Sequence, residues 1–313
     1  MDNGRLLHDA WRLTWRHRFL WVLGLFAGGG TGLNFSFPGG GAPRSAGGGP
    51  MPPEASRVLD EVNAWVVAHL GLLLAVAAVL ALVGIVFLVV HFIAQGAMIG
   101  ALGRLAAGEP MTLGSAWALG RRLAWRYVRL ALLLLALALA ALLVIAVVVG
   151  ALVALGQASP ALAILLGLFL VGALVLGVPF FVGLYILAMY AERAIAIEDL
   201  GATAALGAGY RLLRARLGAS LVLWLIALVI AIASGIVFGI AAVAVLLPFG
   251  VAAFAAYMSG GLSGAVVALG AVGLLTLIVV LWAVSAVVNT YTAAYWTLGY
   301  LGLTDRYPEF PLY

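Results

Sequence analysis

Residues 218–247 read GASLVLWLIALVIAIASGIVFGIAAVAVLL, and residues 264–299 read GAVVALGAVGLLTLIVVLWAVSAVVNTYTAAYWTLG. From Gly218 to Thr304 there is no Asp, Glu, Lys, Arg or His. A helix needs about 20 apolar residues to cross a hydrocarbon core about 30 Å thick, and in lipid the backbone must satisfy its own hydrogen bonds. This stretch therefore reads as two membrane-spanning helices. The break between them falls near Pro248 and Gly250 or at Ser259, Gly260 and Gly261.

Leu130 to Ala191 is a second uncharged run, long enough for two spans. Gly156, Gln157, Ser159 and Pro160 supply its turn, with Ser159 able to cap the next helix and Pro160 suited to its first position. Val62 to Phe92 is a third, broken only by Asn63, His69 and His91. Phe19 to Ala27 is a shorter apolar piece behind Arg12, Arg16 and Arg18, and its continuation to Phe37 is Gly-rich. It reads as a first span, an interfacial anchor or a cleaved signal. The amphipathic stretch before it, with Trp11 and Trp15, favours a retained helix. The expectation is an all-α, polytopic transmembrane bundle of about six spans. An amphipathic segment 1–18 precedes a short transmembrane or anchor segment 19–37 and a flexible Gly/Pro-rich external loop 38–61. Residues 62–313 hold spans near 62–95, 129–155, 161–190, 218–247 and 264–299.

Composition points the same way. Of the residues, 66% are hydrophobic and 9% charged, where a soluble domain has about 45–50% and about 25%. The excess must face something other than water. All 16 basic residues are Arg, and the net charge is +5. They flank apolar runs, which fits anionic headgroups and not nucleic acid. The absence of Cys excludes disulfides, thiol catalysis and Cys-held metals. His8, His17, His69 and His91 do not have metal-site spacing. No nucleophile, base and metal ligands occur as a set, so the expectation is no enzyme, cofactor or metal.

Arginine placement predicts topology. Arg5, Arg12, Arg16 and Arg18 precede the first apolar piece; Arg104, Arg121, Arg122, Arg126 and Arg129 lie in one long connection; Arg193, Arg211, Arg214 and Arg216 lie in another. The turns near Gly156 and Pro248 have none. Under the positive-inside rule the rich connections and both termini are cytoplasmic. Trp125, Tyr127, Tyr190, Tyr295, Trp296 and Tyr300 fall near the inner boundaries, where an aromatic belt is expected.

The two Arg-rich connections resemble one another. Ser115 to Leu123 is followed by Arg126 and Arg129, and Thr203 to Arg211 by Arg214 and Arg216, at an offset of about 88 residues (Ser115 to Thr203). Each predicts a short interfacial helix, with Thr112 and Asp199 as N-caps. Arg121, Arg122, Arg126, Arg129, Arg211 and Arg214 are the candidate contacts to anionic lipid. A second candidate is the intramembrane polar cluster Ser285, Asn289, Thr290 and Thr292, where Asn289 can bridge helices. Gly96 with Gly100, and Gly235 with Gly239, have the spacing that permits close helix approach. Asp60 and Glu61 read as a solvated helix start.

The stretches AWRLTWRHRFLWVLG (10–24) and YAERAIAIEDLG (190–201) resemble an uncharacterised family of bacterial multi-pass membrane proteins, similar to the membrane domain fused to some glycerophosphodiester phosphodiesterases. The resemblance implies a six-helix membrane domain without an assigned activity. The hydrolytic chemistry of those enzymes belongs to a separate soluble barrel, so no catalytic residue carries over. The expected function is a non-enzymatic scaffold or lipid-organising membrane protein, with membrane lipids as partners. A small-solute permease is the alternative, and the sequence leaves protein partners and oligomeric state open.

Overall fold

The computed structural model describes residues 2–28, 64–156, 160–261 and 263–307. The loop at 38–61 with Asp60 and Glu61, the continuation of the first apolar piece beyond Gly28, and the expected Ser159 cap lie outside the described residues. The chain divides into two units, one of residues 1–31 with 91–313 and the other of residues 32–90. Among the described residues the secondary structure is entirely helical.

The helices are α1 (Asn3–Arg16), α2 (Phe19–Ala27), α3 (Leu70–Ala106), α4 (Leu113–Gly156), α5 (Pro160–Glu198), α6 (Ala202–Ala215), α7 (Leu217–Gly260) and α8 (Gly264–Leu303). Among the described residues, five helices are long and apolar enough to cross a membrane. This is a helical membrane protein. The two longest, α4 and α7, each have 44 residues, about 66 Å at 1.5 Å per residue, twice the hydrocarbon thickness. The nine residues of α2 reach only about 13 Å and do not by themselves span.

In the unit of residues 32–90, the described side chains of 70–90 are almost all exposed. Trp65 stacks on His69 at 4.7 Å between ring centroids, and His69 Nδ1 lies 2.8 Å from the Trp65 carbonyl oxygen.

In the other unit burial is concentrated at one end, the Arg-rich one. Ala94–Ala106 of α3, the first turns of α4, the last turns of α5 and α8, and the start of α7 form a core with α1, α2 and α6. The other ends are apolar stems whose side chains face outward, from Leu132 in α4, up to Phe181 in α5, and up to Trp282 in α8. An outward apolar surface of that length is stable only against hydrocarbon.

Two of the local expectations are corrected. Ser115 to Arg129 is not a separate interfacial helix but the first part of α4, because nothing between Arg121 and Leu132 breaks a run of strong helix formers. Its counterpart α6 is separate, since Arg216 at φ −127°, ψ 40° interrupts the helix before α7. Thr112 does cap α4: its hydroxyl accepts from the Ser115 amide at 3.3 Å while its own amide donates to Ser115 Oγ at 3.0 Å. Asp199 does not cap α6; that position is Gly201. Asp199 instead adopts φ 55° after the end of α5, and its carboxylate is used elsewhere. Pro248 lies inside α7, so the break falls at Gly261, where φ is 68°.

Two glycines set close helix approaches at the Arg-rich end. Gly120 of α4 lies so close to the Ile93 carbonyl and Ala97 of α3 that a methyl would collide with both. Gly209 of α6 lies similarly against the Leu187 carbonyl and the Ala191 amide of α5. Each of these Arg-rich segments thus crosses the helix before it on a glycine.

Candidate functional site

At the centre of the packed end is a polar cluster that spans three helices. Gln95 of α3 donates through Nε2 to Glu192 Oε1 at 2.8 Å. Arg193, the next residue of α5, donates through Nη1 to Glu192 Oε2 at 3.1 Å and to the Met189 carbonyl at 2.9 Å. Tyr127 of α4 donates to the Glu192 carbonyl at 2.9 Å. Exposure is 0% for Arg193, 2% for Glu192 and 3% for Gln95. A buried ion pair keeps its charges only where hydrogen bonds replace lost hydration. Here Gln95 and Tyr127 supply two of them.

Tyrosines surround the cluster. Tyr190 donates to Ser220 Oγ at 2.9 Å, Tyr295 to the Leu223 carbonyl at 2.9 Å, and Tyr300 to Glu198 Oε1 at 2.8 Å. Tyr127, Tyr190, Tyr295, Trp296 and Tyr300 are thus core residues, not the lipid-facing belt expected of them. The four tyrosine hydroxyls reach partners inside the protein, which favours burial. Trp11, Trp15, Trp125 and Tyr210 do stay exposed.

The arginine candidates divide into two groups. Asp199 binds Arg126 Nη1 at 2.6 Å and Arg122 Nη2 at 3.7 Å, which ties α4 to the end of α5. Arg121, Arg129, Arg211 and Arg214 are exposed and have no acidic partner among the described residues. Arg129 instead lies over the Trp125 ring at 5.3 Å.

The polar cluster of the last span is a docking device for α2. Asn289 Nδ2 donates to the Gly24 carbonyl at 3.0 Å, and the Thr290 hydroxyl lies between the Ala286 carbonyl of its own helix at 2.8 Å and the Leu20 carbonyl at 3.2 Å. Ser285 turns back to the Trp282 carbonyl of its own helix. Thr292 makes no side-chain hydrogen bond among the described residues. His91 Nδ1, 2.8 Å from the Phe26 carbonyl oxygen, holds the other end of α2.

One crevice, about 560 Å³, lies between the stems of α4 and α5, lined entirely by apolar residues that include Ala141, Val144, Phe169, Gly172, Gly177 and Phe180. Among the described residues, no three His, Asp or Glu side chains gather where they could hold a metal.

Residues 7–311 match the model of a family described as Family of unknown function (DUF7544). The chain belongs to that family. No curated protein and no solved structure matches it. The family match spans both the stems and the packed end. In the sequence Arg193 reads only as a topology marker, and Gln95 and Glu192 carry no assigned role. Glu192 and Arg193 stand where an apolar run ends, as any boundary charge does, and Gln95 is a lone polar residue among small ones.

Proposed function

We propose that this family member is a non-enzymatic, lipid-organising protein of the bacterial cytoplasmic membrane, with both termini and the Arg-rich end on the cytoplasmic side. The observation that carries the reading is the unpaired set Arg121, Arg129, Arg211 and Arg214. A protein using its arginines only for internal bonding would have matched them with carboxylates, as it does Arg122 and Arg126. Guanidinium groups beside exposed Trp125 and Tyr210 suit the headgroup layer, where each is worth about 1 kcal/mol against anionic lipid. The resemblance of residues 10–24 and 190–201 to an uncharacterised multi-pass family, itself similar to the membrane domain fused to some glycerophosphodiester phosphodiesterases, supports a setting among lipids, without hydrolysis by this chain. For the permease alternative, the Asn289 amide is engaged with the Gly24 carbonyl of α2 and is not offered to a solute.

The test is lipid preference. Wild-type protein in nanodiscs of mixed phosphatidylglycerol and phosphatidylcholine should enrich phosphatidylglycerol in its annulus. Replacing Arg121, Arg129, Arg211 and Arg214 by Gln together should reduce that enrichment by at least about tenfold, with helicity unchanged. Equal enrichment in the two proteins defeats the proposal.

A further inference from the structure

The guanidinium of Arg193 is buried, yet two of its donors, Nε and Nη2, have no hydrogen-bond partner among the described residues. Nη1 takes all the bonds described above. In the planar guanidinium, Nε–H and Nη2–H lie parallel on one edge, the fork that receives two oxygens of one oxyanion. A buried cationic donor left unmatched is strongly destabilising, so such a pair on one edge calls for an acceptor. A second unmatched polar atom, Thr297 Oγ1 of α8, is buried in the same packed end. The helices that carry the two meet there, with Tyr190 against Trp296 and Tyr300 at 6.4 and 6.0 Å between ring centroids.

Depth indicates where the acceptor comes from. Arg193 lies 33 residues along α5 from Pro160, or about 50 Å at 1.5 Å per residue, beyond a hydrocarbon core of about 30 Å. It belongs to the Arg-rich packed end, where the proposed orientation puts the cytoplasmic headgroups and the water beyond them. Charge narrows the class. Among the described residues Arg193 is the one buried cation of the cluster, and at the rim Arg306 pairs with Glu198 and Arg216 with Asp305. A singly charged oxyanion fits this balance better than a doubly charged one, because each extra buried charge must be compensated.

The geometry points to Arg193 as the anchor of an internal binding site for a singly charged phosphate group, that of a phospholipid headgroup or of a small free phosphate. This site rests on the membrane reading but not on the surface arginines, so the two can fail separately.

The experiment uses the full-length protein, delipidated in a non-ionic detergent. Three probes are titrated and followed by native mass spectrometry and thermal shift: dihexanoyl phosphatidylglycerol, dihexanoylglycerol without phosphate, and inorganic phosphate. One equivalent of the phosphatidylglycerol should be retained at least tenfold more tightly than the phosphate-free lipid. Inorganic phosphate binding as tightly also supports the site and makes free phosphate its source. Arg193→Lys keeps the charge but loses the fork, and should weaken retention tenfold or more. The combined surface variant of Arg121 and Arg211 to Gln should retain it. If Arg193→Lys does not fold, arginine ¹⁵N to ³¹P dipolar coupling in wild-type protein with one equivalent of ligand decides. Coupling at a Nε and Nη pair that survives in the surface variant supports the site. No preference for phosphate-bearing probes in the wild type, or full retention by a folded Arg193→Lys, means that ordered water fills the fork and overturns the inference.

Discussion

Asp9 sits on the buried face of α1 with 3% exposure. Its Oδ2 accepts from the Tyr307 hydroxyl at 2.7 Å and lies 3.7 Å from Arg5 Nε. Arg5 in turn covers the Tyr307 ring at 5.5 Å. Three side chains thereby join the first helix to the segment after the last one. Tyr307→Phe leaves a buried carboxylate oxygen short of a donor and should cost about 1–2 kcal/mol, seen as a lower midpoint for the fluorescence change of Trp11 and Trp15. The same contact responds to alkali. Burial first, then the hydrogen bond to Asp9 and its negative charge, raise the Tyr307 phenol above its ordinary 10.0. A raised pKa means that the folded form prefers the neutral phenol. The stabilisation is whole below pH 10 and is lost as pH climbs through the folded-state value. The wild type should shed this increment above pH 10, and Tyr307→Phe should lack that part of the alkaline decline; identical profiles would refute the assignment.

Among the helices, close approach is decided by particular glycines. Gly120→Ala drives a methyl into the Ile93 carbonyl and Ala97, and should destabilise by about 1–3 kcal/mol in detergent unfolding. Gly235→Ala meets nothing and should be neutral or gain up to about 1 kcal/mol from helix propensity. Both residues sit in small-residue patterns, and spacing alone does not distinguish them. The same contrast separates what could be read in the sequence from what could not. An uncharged run such as Gly218 to Thr304 admits one solvent, so the helices and their membrane setting were legible. Which face of a helix is packed was not, because a chain apolar all round has no amphipathic stripe. Tyr295 and Trp296 therefore looked like belt residues, and Arg193 like a topology marker, until burial assigned them to the core. Asn289 was legible as a bridge because an amide in a span has few other uses. Its acceptor, a carbonyl of α2, lies 265 residues away in sequence and could not be foreseen.

For the molecule as a whole, the proposed orientation can be checked directly, because the chain has no Cys. A Cys replacing exposed Tyr210 at the Arg-rich end and another replacing Ser263 at the start of α8 report the two sides. In intact cells, a membrane-impermeant maleimide should label Ser263→Cys and spare Tyr210→Cys until the membrane is opened. The reverse pattern would invert the topology. The length of α7 has a consequence of its own. From Leu217 to Gly260 it carries no charged side chain, so no charge within that rod marks the level of either headgroup layer. Its vertical register is left to Arg216 just before it, which pairs with Asp305 at 3.4 Å. A thicker or thinner bilayer can then slide along α7 without stranding a charge, at a cost of only fractions of a kcal/mol per ångström, while the packed end keeps its own geometry.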